Sequence, residues 1–366
     1  MRVLTVSNVP LEASLGSGYV ILGYVEQLRS RGHDVTTLEP RQYFRFPRWP
    51  GARRLRLLLG YTAAVRRALA ARPYDVVELW GGEAWRIARE LAPRPARPLL
   101  VGRSNGFETL RARDLASVLG PPRASWAGRR FDRWQDVPAA FRAVDLLTTV
   151  SERETAFALA ERYQPADRIV TLPNPLSAEW HAELPGSSRP QVLAYFGSWL
   201  PVKGSALLPT LFSAALRAHP AWRGRIVGPA PAEIAPHFPD DVRARIEFVP
   251  HVSDKAHLRR LYLDSAIVLL PSIYESFGLV AAEALACGCA LVASPTGWAA
   301  SLAPSAAVLV AERSPAAWIA ALLPLLADEP RRRELAMAGR ASTRTLRWPE
   351  AGERLEAAYR AALATR

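Results

Sequence analysis

Residues 264–298, DSAIVLLPSIYESFGLVAAEALACGCALVASPTGW, constrain the fold more than any other stretch of the chain. Ala266–Leu270 is an uninterrupted apolar run of strand length, ended by Pro271 and Ser272. Tyr274–Gly278 has loop composition. Leu279–Ala286 is rich in alanine and leucine, the best helix formers, and Gly288 just past it supplies a C-terminal stop. Ala290–Ala293 then reads as a second short buried strand. Strand, helix and strand in that order form a buried βαβ unit with parallel strands.

The same alternation recurs along the chain. Val3–Ser7 reads as a strand, Asn8–Ser17 as a loop, Tyr19–Ser30 as a helix and Val35–Leu38 as the next strand, which opens a doubly wound sheet. Gly16 and Gly18 give that loop a G-x-G, but Ile21 stands where a dinucleotide fingerprint needs its third glycine. The sequence therefore speaks against a nicotinamide or flavin enzyme. Further strands are expected at Tyr74–Leu79, Leu99–Val101, Asp145–Val150 and Ile169–Leu172, with residues 109–140 read as irregular. The polar, turn-rich residues 181–191 read as a linker, after which Val192–Phe196 starts a second set of strands. With 366 residues, two α/β domains are expected, 1–180 and 192–345, followed by a closing segment 346–366.

The 49% hydrophobic content is that of a globular chain, and no apolar run reaches the roughly 20 residues a membrane-spanning helix needs. The short apolar part of MRVLTVSNVP reads as a first strand and not a signal peptide, which makes the cytoplasm the expected compartment. Cys287 and Cys289 flank Gly288 and are expected to be small buried residues; the histidines show no metal-ligand spacing. The formal charge is +13, and no acid occurs between Glu39 and Asp75. Arginines and aromatics interleave over 41–67, which suits an anionic membrane surface or a lipid-linked acceptor; no nucleic-acid recognition motif accompanies them.

The chemistry concentrates around the opening stretch. Glu275 and Glu283 stand eight residues apart, about 12 Å at helical rise, and the amides of Ser276–Leu279 at a helix start can hold an anion between them. The run P-S-x-x-E-S-F-G-L-x-x-x-E-A-L-A-x-G resembles the donor-site signature of the large retaining glycosyltransferase family with the GT-B fold, the family 4-like group. That resemblance implies two Rossmann-like domains facing across a cleft, with the final helix crossing back to the first domain. It implies a nucleoside-diphosphate sugar as donor, no cofactor and no metal, and transfer with retention to the hydroxyl of an acceptor.

Residue by residue, the resemblance places Glu275 on the donor sugar, Glu283 on the ribose and Ser276, Phe277, Gly278 and Leu279 on the diphosphate. It brings Gly16 and Gly18 near the donor phosphates and His251, in Pro250-His251-Val252-Ser253, near the base. In Gly197-Ser198-Trp199-Leu200-Pro201-Val202-Lys203-Gly204 it assigns Lys203 to the diphosphate. The chain departs from the family at four points, one of them Pro175 where the resembling V-x-P-N-G segment has glycine. Ser198 replaces a usual arginine, with Arg103 and Arg225 as candidates to replace its charge. Asn105 replaces a usual histidine and can hydrogen-bond the sugar but not titrate. Thr296-Gly297-Trp298 replaces a common G-G-x-x-E loop. Two other readings share this fold: a nucleotide-sugar hydrolase or epimerase, and a degenerate binding protein that has lost turnover.

Overall fold

The computed structural model describes residues 1–44, 53–121, 136–184 and 189–366. They form two compact α/β units, Met1–Pro175 with Trp348–Arg366, and Leu176–Arg347. Of the expected features, residues 45–52 of the basic stretch and 185–188 of the linker lie outside the described residues.

The first unit is built on a parallel sheet of six strands: β1 (Arg2–Val6), β2 (Asp34–Leu38), β3 (Val76–Trp80), β4 (Leu99–Arg103), β5 (Leu146–Thr149) and β6 (Ile169–Thr171). Their order is β2-β1-β3-β4-β5-β6. Strands β3, β4 and β5 are buried along their whole length, as expected where helices cover both faces. The last helix, Trp348–Ala364, packs on the helix Gly16–Ser30. Gly23 makes room there for the Trp348 ring, which meets Tyr19 and Tyr24 edge-on at 5.7 and 5.4 Å.

A polar knot lies under that helix. Tyr359 donates to the buried Glu78 on β3, and Thr5 donates to the other carboxylate oxygen at 2.5 Å. Arg103 sits 4.2 and 4.5 Å over the rings of Tyr24 and Trp80 and 3.9 Å from Glu78, almost fully buried. Its charge is therefore part of the core of this unit, which removes it as a substitute for the cation missing at Ser198.

Two local expectations change. The helix after β1 begins at Gly16, so Gly16 and Gly18 lie in its first turn and not in the loop. Gly18 is needed because a Cβ would stand 2.4 Å from the Glu12 carbonyl. Residues 108–119, expected to be irregular, form a helix stopped by Gly120 at φ +76°. Its residues are good helix formers, and the proline- and glycine-rich composition that suggested a loop starts only beyond them. Residues 122–135 lie outside the described residues.

The second unit carries β7 (Val192–Phe196), β8 (Arg223–Gly228), β9 (Ile246–Pro250), β10 (Ile267–Leu270), β11 (Ala290–Ala293) and β12 (Val308–Leu309). They are all parallel, in the order β12-β11-β10-β7-β8-β9. From β7 the chain runs first to one side through β8 and β9, then returns to build β10 to β12 on the other. The connections leaving β7 and β10 therefore diverge and open a crevice at the carboxyl ends of those two strands. Ligands of doubly wound sheets bind at such a switch point. The loops there are Gly197–Gly204 and Pro271–Gly278.

Candidate active site

Backbone contacts that only glycine allows lock these two loops together. Gly204, at φ +73°, ends the turn Pro201–Lys203, and a Cβ on it would stand 2.0 Å from the Pro271 carbonyl oxygen. Beside it the Ile273 amide donates to the Val202 carbonyl at 2.8 Å. Arg313 braces the loop by donating to the carbonyls of Ser272 and Ile273 at 3.1 and 3.3 Å.

This zipper puts the Lys203 ammonium 2.8 Å from both carboxylate oxygens of Glu275. Ser272 donates to Oε1 at 2.7 Å. Glu275 is 8% exposed, and the Lys203 side chain 30%. The carboxylate is thus held in place while its cation still reaches solvent.

Beyond Glu275 the chain turns through Gly278, at φ +91°, into the helix Leu279–Ala286. Glycine supplies no capping side chain; the Ala281 amide turns back to the Gly278 carbonyl at 3.0 Å, and the Leu279 and Val280 amides ahead of it stand at the helix start, where a helix presents its positive end. Thr296–Trp298 supports this turn: the Trp298 amide donates to Phe277 O at 2.8 Å, and the two rings stack at 5.7 Å. The residues that depart from G-G-x-x-E here thus brace the Phe277–Gly278 turn from behind.

Glu283, one turn into the helix, is 6% exposed. Tyr262 donates to its Oε2 at 3.1 Å, and the Lys255 ammonium lies 3.9 Å from Oε1. Burial pushes its carboxyl up to about 7, with Lys255 and the Tyr262 hydrogen bond opposing that rise. Tyr262 is held by Phe196 at the end of β7, their rings stacked at 3.8 Å. The sequence reading missed Lys255 and Tyr262. A signal for Lys255 existed, because the chain has only two lysines, Lys203 and Lys255. Each stands against one of the two glutamates.

The remaining expected residues are distributed as follows. Ser198 follows Gly197 at the end of β7, and its carbonyl accepts from Tyr195 at 2.8 Å. Gly197 presses on Gly228, where a Cβ would stand 2.5 Å from the Gly197 carbonyl oxygen. His251 is exposed just after β9. Arg225 cannot stand in for the missing arginine: it pairs with Glu247 at 2.7 Å and donates to the Leu261 carbonyl at 2.9 Å. In the first unit, Asn105 follows β4 and donates to Asn8 at 3.2 Å, which donates to Glu83 at 3.0 Å. This polar chain spans loops at the carboxyl ends of β1, β3 and β4, where that sheet has its own switch point. Among the described residues no three His, Cys, Asp or Glu side chains are grouped to hold a metal ion, and no helix is long and apolar enough to cross a membrane.

A buried carboxylate, a part-exposed ammonium and the amides of a helix start at one crevice can together hold a polyhydroxy ligand that bears a diphosphate. Comparison with known proteins points the same way. Residues 16–175 match the family described as glycosyl transferase 4-like domain, and residues 190–328 that described as glycosyl transferases group 1. The D-inositol 3-phosphate glycosyltransferase of Segniliparus rotundus is 34% identical over 190 residues, 50% of this chain and 42% of that protein. The protein of the same description from Kineococcus radiotolerans is 31% identical over 274 residues, 66% of this chain and 61% of that protein. The matched stretches thus span less than two thirds of those relatives' length. The solved sucrose-phosphate synthase of Thermosynechococcus elongatus superposes with a TM-score of 0.78 at 19% identity, covering 100% of both chains, which is a likeness of fold.

Proposed function

The chain belongs to the group 1, 4-like glycosyltransferases, and we propose that it transfers a sugar from a nucleoside-diphosphate sugar to a hydroxyl of a phosphorylated polyol or sugar. The Lys203–Glu275 pair at the switch point of the second unit carries this reading. When the donor enters, its sugar hydroxyls replace Lys203 as partners of Glu275, and the freed ammonium moves to the diphosphate. Lys203 and the Ser276–Leu279 amides then stabilise the charge that grows on the leaving group, without a metal ion. Glu283, oriented by Tyr262, accepts from the ribose hydroxyls, while Ser198, Gly197 and His251 border the nucleotide. Asn105, at the switch point of the first unit, offers a hydrogen bond to an acceptor hydroxyl, while Gly18 is taken up by close packing against Glu12. Transfer proceeds with retention, the departing phosphate taking the acceptor proton. The acceptor class rests on what the relatives' descriptions name, an inositol phosphate, and places the product among glycoconjugate precursors.

The test is a thermal-shift screen of nucleoside diphosphates and their sugars, followed by incubation of the stabilising donor with inositol phosphates in the presence of a chelator. The expected result is saturable stabilisation and an α-linked product by NMR. Absence of stabilisation by every nucleotide tried would overturn the reading. Free sugar or an isomerised donor without acceptor would replace transfer with hydrolysis or epimerisation.

We further propose that the helix Arg53–Ala71 lies against an anionic membrane surface and brings the enzyme to acceptors made there. Leu55 and Leu59 are exposed on it. Not all nearby charge is available, because Arg41 and Arg66 pair with Glu12 and Glu90. Sedimentation with phosphatidylglycerol vesicles, weakened by salt and by Leu55→Ser/Leu59→Ser, is the expected outcome. Equal sedimentation with phosphatidylcholine, or none, would remove the membrane from the account.

A further inference from the structure

A cavity of about 1120 Å³ opens in the second unit on the side away from Lys203 and Glu275. Its wall includes Ala266 and Gly288, which precede β10 and β11, so it lies at the amino ends of the strands. The active-site loops lie at the carboxyl ends, separated by at least the length of β10, roughly 13 Å. The cavity is therefore no part of the site described above.

Its lining is unusual in charge. Six arginines border it, Arg189, Arg332, Arg333, Arg340, Arg344 and Arg347, against two glutamates. Elsewhere this arginine-rich chain commonly sets guanidinium against carboxylate, as in Arg72–Asp34, Arg97–Asp145, Arg217–Asp241 and Arg360–Glu356. Among the described residues, Arg333 alone of the six has such a partner, Glu329 at 2.8 Å. An arginine bias in composition does not explain that contrast.

The six divide by what they already hold. Arg189 donates to the Ser265 carbonyl at 2.8 Å and to that of Cys287, and Arg332 donates to Leu325 and Leu326 at 2.6 and 3.0 Å. Those two are committed to helix ends and form the wall. Arg340 uses one nitrogen on the Ala182 carbonyl at 3.0 Å, and Arg347 uses Nε on the Arg344 carbonyl at 3.1 Å. The Arg344 guanidinium has no hydrogen-bond or ion-pair partner among the described residues. Arg340, Arg344 and Arg347 follow one another at the end of the helix Glu329–Ser342 and in the turn beyond it. Gathering three such charges costs free energy through repulsion, and the half charge of a helix C-terminus offsets only part of it.

We propose that this cavity is a second ligand site, which takes a multiply charged phosphate group in the forks of Arg340, Arg344 and Arg347. The phosphate belongs either to a soluble phosphorylated molecule or to a phospholipid headgroup. Planar guanidinium forks match phosphate oxygens two at a time. The proposal does not depend on the transfer reaction.

The probe is inorganic pyrophosphate, titrated by calorimetry and thermal shift at low salt into the full chain. Four proteins are compared: wild type, Lys203→Ala, Arg344→Ala/Arg347→Ala, and Arg217→Ala/Arg243→Ala as a surface control. Binding should persist in Lys203→Ala and in the control, and weaken by roughly tenfold or more in Arg344→Ala/Arg347→Ala. That variant should melt no lower than wild type without ligand, since repulsion is relieved. If pyrophosphate fails but phosphatidic acid vesicles bind in an Arg344- and Arg347-dependent way, the ligand is a headgroup. No binding of either probe, pyrophosphate binding lost only with Lys203, or a markedly lower melting point of the apo variant would overturn the second site.

Discussion

Lys203→Ala is expected to lower the rate of sugar transfer by about 10²–10³-fold, the usual cost of removing one preorganised stabiliser of developing negative charge. Ser198 stands where the family resemblance leads one to expect an arginine, and Arg103 and Arg225 are committed elsewhere. In the proposed reaction Lys203 would therefore carry more of the leaving-group charge than in a site with two cations. Removing it also strips Glu275 of its nearest cation, leaving Ser272 as its remaining side-chain donor among the hydrogen bonds described above. Lys203→Arg separates the two roles. An arginine restores charge near Glu275 and should restore the melting temperature, yet its fork grips a carboxylate side-on and gives it up less readily than a single ammonium. Stability should recover in Lys203→Arg while turnover does not. Steady-state kinetics beside calorimetric melting would decide the matter, and wild-type turnover in Lys203→Ala would sink the assignment of the site.

Much of this was legible in the sequence because it is local. Strand, loop and helix from 266 to 286 follow from adjacent residues: proline ends the strand, glycine launches the helix, and alanines fill it. The structure places that helix at Leu279–Ala286, as the composition predicts. What the sequence could not show is pairing across the chain. Lys255 meets Glu283 only because the helix Lys255–Leu263 packs beside Leu279–Ala286, and no local pattern states that contact. Gly204 ends the Lys203 motif, and its reason is the Pro271 carbonyl some seventy residues away. Arg103 and Arg225 failed as substitutes for the same cause. Position near a strand end says nothing about whether Glu78 or Glu247 already holds the charge.

The pairing at Glu283 yields the second large effect. Donor affinity should rise by about tenfold per pH unit up to about pH 7 and level off above it. The sign follows from burial. The folded carboxyl titrates at about 7 because burial disfavours its ionised form. The folded chain thus holds a proton that the unfolded chain releases near 4.5. The stability contributed by this group is complete below that unfolded value and is lost as pH rises through about 7, by about 3 kcal/mol. Ribose hydroxyls donating to the carboxylate favour the ionised form, so donor binding releases a proton and tightens as pH rises. A nucleotide sugar is the right ligand for this measurement, since its diphosphate diester has no proton to lose between pH 6 and 8. Glu283→Gln keeps the shape but cannot titrate, so it should bind weakly at every pH with a flat profile. Lys255→Met removes a cation that favours ionisation and should move the midpoint to higher pH. Calorimetric titrations at half-unit steps would resolve all three, and a flat profile in the wild-type protein would take Glu283 out of the donor site.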